Sequence, residues 1–200
     1  MTEIVTGGSG WYEQPGDRAE LDVSFTAVAP TRTDAVHELG RRMAAAEAAL
    51  TRPGLEVRHR RLWVRGEWRG DAMIGCRAGE DIALVVTDVA ELGEVISALV
   101  GAEPTALNGP RWVLEDPAAA QREAQERAVA DARTRAEGYA AALGGRLGPL
   151  LNLSDVPDHA APVAFRAAAE AAGPDVRALG LEPEPVRVTA RCTTTWVLDL

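Results

Sequence analysis

The sequence predicts an α+β fold in which helices pack on an antiparallel sheet with a split β-α-β core, and three observations carry that prediction. Two segments, Asp17 to Ala29 and Val186 to Leu198, alternate apolar and polar residues at period two. Two others, after Pro30 and after Asp116, space apolar or small residues by three and four. Between Asp17 and Glu115 the patterns run strand, helix, strand, strand, helix, strand.

In the first strand Ala19, Leu21, Val23, Phe25 and Ala27 alternate with Arg18, Glu20, Asp22, Ser24 and Thr26, so one face is expected in the core. The helix after Pro30 carries Val36, Leu39, Met43, Ala46 and Leu50 and stops at Pro53-Gly54. Strands are expected from about Val57 to Trp68 and from about Met73 to Thr87. A second helix begins at Asp88, whose spacing to Glu91 fits a capping box, and buries Val89, Leu92, Ile96 and Leu99 before Gly101. A strand ending in Arg111-Trp112-Val113-Leu114-Glu115 completes the ferredoxin-like order.

Asp116-Pro117 then supplies a cap and a first-turn proline for the longest helix, which ends at Gly144-Gly145. Its inner stripe is alanine, at Ala120, Ala124, Ala128, Ala132, Ala136 and Ala140, with Tyr139 and Leu143 at the end. Such small residues let a helix lie close to a sheet. Arg122/Glu126, Glu123/Arg127 and Asp131/Arg135 are four-residue pairs on the exposed side. Val186, Val188, Ala190, Cys192, Thr194, Trp196 and Leu198 form one face of the closing strand. The stretch from 156 to 185, rich in Pro, Ala and Gly, reads as a mobile connection with a short helix near Val163 to Ala172.

At 200 residues the chain reads as one domain spanning 1–200, large enough to hold a core without metal or disulfide. A hydrophobic fraction of 46% and a charged fraction of 26% are ordinary globular values. Net charge is -9, which opposes nucleic acid and anionic membranes. The amino terminus shows no cationic stretch followed by an apolar run, and no apolar run approaches the ~20 residues that cross a bilayer, so a cytoplasmic protein with no membrane contact is expected. Cys76 and Cys192 are far apart and are expected as free, buried thiols.

No motif assembles a catalytic set. Gly7-Gly8-Ser9-Gly10 lacks the Lys-Ser/Thr of a phosphate loop and has Trp11 where a nucleophile elbow needs glycine, so close backbone packing is the better reading. His37, His59 and His159 are scattered, and Asp155, Asp158 and His159 read as a solvated loop rather than a metal site. Asn152-Leu153-Ser154 is a chance sequon. No cofactor and no metal are expected.

The unusual stretch is Arg58-His59-Arg60-Arg61-Leu62-Trp63-Val64-Arg65-Gly66-Glu67-Trp68-Arg69. Basic residues interleaved with aromatics can hold single-stranded nucleic acid. We favour an edge or subunit-facing strand, because the overall charge opposes nucleic acid and because arginine and tryptophan are typical of protein interfaces. Arg58, Arg60, Arg61, Trp63, Arg65 and Trp68 are the interface candidates, with Trp63, Arg61 and Arg65 on one face and Trp68, Val64, Leu62 and Arg60 on the other.

Val5-Thr6-Gly7-Gly8-Ser9-Gly10, Pro15-Gly16-Asp17-Arg18-Ala19-Glu20-Leu21, the alanine helix from Ala124 through Tyr139-Ala140, Leu143-Gly144, Leu147-Gly148-Pro149-Leu150 and Pro185-Val186-x-Val188-x-Ala190 together resemble the SIMPL-domain proteins. That family includes bacterial oxidative-stress-defence proteins of the periplasm. Here Gly16 separates the proline from the aspartate, and the missing signal sequence departs from the secreted members. The resemblance implies a mixed α+β fold, assembly into rings, and a loose link to oxidative stress or signalling partners. It brings no catalytic residue.

The leading expectation is therefore a non-enzymatic, homo-oligomeric binding or scaffold protein with an unknown protein partner. The rival is a small-molecule binder or enzyme using 156–185 as a lid over a pocket.

Overall fold

The computed structural model describes residues 2–155 and 180–200. Among these the chain forms two compact units, one from residues 16–113 with 180–184 and one from 2–15, 114–155 and 185–200. The expected helix near Val163 to Ala172, and most of the connection, lie outside the described residues.

The first unit contains β2 (Arg18–Ala29), α1 (Arg32–Leu50), β3 (Leu55–Arg69), β4 (Ala72–Val86), α2 (Leu92–Gly101) and β5 (Ala106–Val113). Its sheet has the order β3-β4-β2-β5, antiparallel throughout, with β4 between the two strands that α1 connects. This is the split arrangement expected of the strand and helix order. Ala19, Leu21, Val23, Phe25 and Ala27 are each at most 2% exposed, and the cross-strand neighbours of Ala19, Leu21, Val23 and Ala27 are Val86, Leu84, Ile82 and Ala78. Period two places all of them on one face, where α1 packs on β2 and β4.

Thr31 starts α1: its hydroxyl accepts the Asp34 N–H at 3.2 Å and donates to Asp34 Oδ2 at 2.7 Å. The buried stripe is Ala35, Leu39, Met43, Ala46, Ala49 and Leu50, so the small Ala35 faces the sheet where Val36 was expected, and Val36 is exposed. Asp88 corrects the expected capping box. It accepts the Ala90 N–H at 3.0 Å at the head of a 3-10 turn, and α2 begins only at Leu92, with Leu92, Val95, Ile96 and Leu99 buried. Val89 is left in the turn, half-buried.

The second unit pairs β1 (Thr2–Pro15) with β7 (Pro185–Asp199) from Thr2↔Leu198 to Pro15↔Pro185, and β7 with β6 (Arg146–Asp155), under α3 (Ala118–Ala142). The long helix and the two C-terminal strands thus close a three-stranded sheet of their own with β1. Asp116 Oδ1 accepts the Ala118 N–H at 2.8 Å at the head of α3, and Gly144, at φ +75°, sits just past its end.

All six expected alanines of α3 are buried, each at most 1% exposed. Alanine methyls bury little apolar area, so this interface depends on close approach rather than bulk. The strand side provides it: Thr6, Gly8 and Gly10 are buried and alternate with exposed Val5, Gly7 and Ser9. A Cβ on Gly8 would lie 2.7 Å from the Ala132 Cβ, and a Cβ on Gly10 2.8 Å from the Arg127 Cβ. Only glycine at both positions admits the helix backbone. Thr6 Oγ1 donates to the Ala132 carbonyl at 2.8 Å and lies 3.1 Å from Thr194 Oγ1, which accepts the Trp196 indole N–H at 2.8 Å. These two threonines are the fully buried polar side chains among the described residues, and they satisfy each other.

Tyr139 and Leu143 do not continue the stripe; both are 62% exposed, although Ala140 between them is buried, so they lie off the packed face of α3. Of the expected surface pairs, Asp131–Arg135 forms at 3.1 Å, whereas Arg127 turns back to donate to the Trp11 carbonyl at 2.8 Å, and Arg133–Glu137 forms at 2.8 Å. No helix is long and apolar enough to cross a membrane among the described residues.

Candidate functional site

The arginine- and tryptophan-bearing stretch is β3, and its place is decided by sheet order: among the described residues it is the terminal strand, hydrogen-bonded to β4 alone. Alternation splits its side chains between the face under α1 and the opposite face. An extra residue interrupts the β4 pairing between Val57 and His59, and a second irregularity follows Glu67, where Trp68 faces Met73.

On the helix side, Arg60 is held by two carboxylates, Glu80 Oε1 at 2.5 Å and Glu47 Oε2 of α1 at 3.5 Å, and these partners raise its pKa, with the Glu80 hydrogen bond the leading cause. Arg58 lies 3.7 Å from Glu56. Leu62 and Val64 follow on this face and, among the described residues, are 59% and 37% exposed. Trp68, at 64% exposure, lies beside Gly66, where a Cβ would come 2.9 Å from its indole nitrogen and 3.4 Å from the Met73 sulfur. Met73 and Ile74, beside Trp68 at the hairpin end, are more than half exposed.

On the opposite face Trp63 lies over Gly79, which has no side chain to hold it off; a Cβ there would overlap the indole ring. The indole N–H donates to Asp81 Oδ2 at 3.1 Å, and Asp81 Oδ1 takes the Ser24 hydroxyl at 2.9 Å. Asp81 thus turns to Trp63 and Ser24 and makes no ion pair with its cross-strand neighbour Arg61. The Arg65 guanidinium stacks on the Trp63 ring at 4.8 Å, and Arg77, directly across from Arg65, is taken by Glu67 at 2.6 Å. Among the described residues Arg61, Arg65 and Arg69 have no carboxylate partner.

The candidate strand residues thus fall into three classes that the sequence could not separate. Arg58 and Arg60 are neutralised within the chain; Arg61 and Arg65 present charge outward around a half-buried Trp63; and Trp68 belongs to an apolar cluster. Sequence reasoning missed the β4 residues that create this division, Gly79, Asp81, Arg77 and Ile74. Their partner register becomes visible only once the hairpin is closed.

A second arginine–aromatic cluster escaped the sequence reading. Trp11 of β1, half exposed, has the Arg187 guanidinium 4.5 Å and the Arg127 guanidinium 5.9 Å from its ring, and Arg187 is also held by Glu13 at 2.5 Å. The signal lay in Trp11 at an outward strand position, with Tyr12 turned inward beside it. Two open grooves lie elsewhere: about 240 Å³ between α1 and α2, lined by Ala45, Ala49 and Ala98, and about 540 Å³ along α3, lined by Arg122, Glu126 and Val129. Neither encloses a buried ionisable group.

No curated protein matches the chain. The SIMPL family profile, described as "Protein of unknown function (DUF541)", matches residues 4–196. That match covers both units, from the glycine-bearing β1 through the alanine helix to β7, and the chain belongs to the SIMPL family.

Proposed function

We propose that this SIMPL protein is a non-enzymatic binding or scaffold protein that works as a homo-oligomer, with a place in oxidative-stress defence suggested by the family resemblance. The observation that carries the reading is the apolar end of the β3–β4 hairpin. Trp68, Met73 and Ile74 are each more than half exposed on one small element. Scattered exposed apolar residues are ordinary, but a tryptophan, a methionine and an isoleucine gathered at one hairpin end are the composition of an interface core. Two buried threonines that satisfy each other, and grooves without buried ionisable groups, favour this reading over an enzyme with a lid.

Light scattering coupled to size exclusion tests it. An anchor of this kind commonly costs more than about 2 kcal/mol when truncated at a packed interface, a shift of about 30-fold in the assembly equilibrium. The native chain should therefore run as an oligomer, and Trp68→Ala with Met73→Ser as a smaller species with unchanged circular dichroism. A native chain that is monomeric at tens of micromolar refutes the reading.

A further inference from the structure

We infer that the open edge of β3 receives an extended acidic segment of another protein as an added strand. Its carboxylates would face Arg61 and Arg65, and its apolar residues Leu62 and Val64. This goes beyond self-association and uses a different part of the hairpin: the strand edge rather than its apolar end.

Four observations carry it. β3 runs for 15 residues at the end of its sheet and pairs only with β4 among the described residues, so every second residue turns an N–H and a C=O outward. An edge of that length is a template for another strand unless something blunts it. Charged side chains are the usual blunting device, but here they sort by position. Arg60 is paired with Glu80 and Glu47 and Arg58 with Glu56, whereas Arg61 and Arg65, four residues apart on one face, have no carboxylate among the described residues. Four residues of strand span about 13 Å, so an antiparallel strand alongside presents its own residues at the same spacing.

The intervening Leu62 and Val64, on the other face, are exposed. The matching segment therefore alternates acidic and aliphatic residues, the acids falling opposite Arg61 and Arg65 and the aliphatics opposite Leu62 and Val64. Opposite charges directly across a ladder are favourable and like charges unfavourable.

Charge decides which extended chain fits. Between Val57 and Arg69 the strand carries five arginines and one glutamate. Pairing β3 with β3 of a second copy brings two such strands together in any register; centred on Trp63, it sets Arg61 against Arg65. An acidic partner removes that repulsion. A single-stranded nucleic acid also offers negative charge, but it has no backbone ladder for the edge and must approach a chain of net charge -9.

The test is fluorescence anisotropy on the full chain with five labelled probes. They are a twelve-residue peptide alternating valine and glutamate, the same peptide with lysine for glutamate, the valine–glutamate peptide N-methylated at alternate residues in each of the two possible patterns, and a twelve-nucleotide oligothymidylate. The expected result is saturable binding of the valine–glutamate peptide, weakened at least about tenfold by Arg61→Ser with Arg65→Ser, both exposed positions whose loss leaves the circular dichroism unchanged. One N-methylation pattern should abolish binding and the other preserve it, because only one edge of an added strand meets β3. The same measurements on Trp68→Ala with Met73→Ser should give the same affinities, which separates this proposal from self-association. The inference is overturned if the valine–glutamate peptide does not bind, if both N-methylated peptides bind like the parent, or if the lysine peptide or the oligothymidylate binds at least as tightly.

Discussion

Replacing Gly8 with alanine adds one methyl group where β1 meets α3, and the structure gives both the direction and the scale of its effect. The added Cβ would lie 2.7 Å from the Ala132 Cβ and 2.7 Å from the Ala132 nitrogen, and it meets the Ala128 carbonyl oxygen as well. Carbon atoms in favourable contact sit about 3.5 to 4.0 Å apart, so the helix must retreat by about 1 Å or the strand must bend. Neither is easy. Ala124, Ala128 and Ala132 are fully packed, and Thr6 ties β1 to the Ala132 carbonyl at 2.8 Å two residues away.

Overpacking of this kind costs about 1–3 kcal/mol, against which the reduced backbone freedom of alanine returns about 0.5–1 kcal/mol. A net loss of about 1 kcal/mol lowers the melting temperature by about 2–4 °C for a chain of this size. The neighbouring Gly7 is the internal control. It points away from α3, and its nearest neighbour to an added Cβ is the Cys192 carbonyl at 3.9 Å, an ordinary contact. Gly40 in α1 meets nothing within 4 Å, so Gly40→Ala should hold or gain up to about 1 kcal/mol. Thermal and urea denaturation followed by circular dichroism compares the three. If Gly8→Ala and Gly7→Ala melt together, close strand–helix approach is not what selects glycine here.

Two further outcomes are expected. Burial pushes the Cys192 thiol above its ordinary range, the Gly8 backbone bond opposing only in part, and Cys76 is buried and unpaired, so native protein should react slowly with iodoacetamide and denatured, unreduced protein should take two alkyl groups by intact mass; a denatured chain that takes none contains a disulfide and contradicts this. The Ser9 N–H, and after it Arg135, hold the Asp131 carboxyl below the usual aspartate range. A depressed pKa contributes stability that is present above the ordinary value, near 4, and is lost as pH falls through the folded value, so wild type should lose stability below about pH 4 more steeply than Asp131→Asn. Parallel acid profiles in urea titrations would show that the contact contributes nothing.

Much of this molecule was legible in the chain because periodicity is a local consequence of backbone geometry. A strand sends alternate side chains to opposite faces whatever it packs on, so the buried set of β2 could be written down residue by residue, and that of β7 from Ala190 to Leu198 apart from Val197, which is buried off the expected face. The alanine stripe of α3 was legible for the same reason, six positions at a helical interval. Errors came where two rotations of a helix are nearly equivalent in hydrophobicity: Val36 is more apolar than Ala35, but α1 lies close to its sheet, and the smaller residue takes the inner position.

What the sequence alone determined, then, is the kind and order of elements, the faces they bury, and an arginine-rich strand that is out of keeping with an acidic chain. Tertiary structure decided what those arginines are. Glu80 and Asp81 lie some twenty residues from their partners in β3, and Glu47 is on a different element; hairpin register and helix placement brought Glu80 and Glu47 to Arg60 and spent Asp81 on Trp63 and Ser24. Neutralisation is a matter of a few ångströms between side chains distant in sequence, and composition carries no information about such distances. The terminal place of β3 in its sheet is likewise a property of strand order, set by how the other strands pair, and it is that place which leaves the edge open.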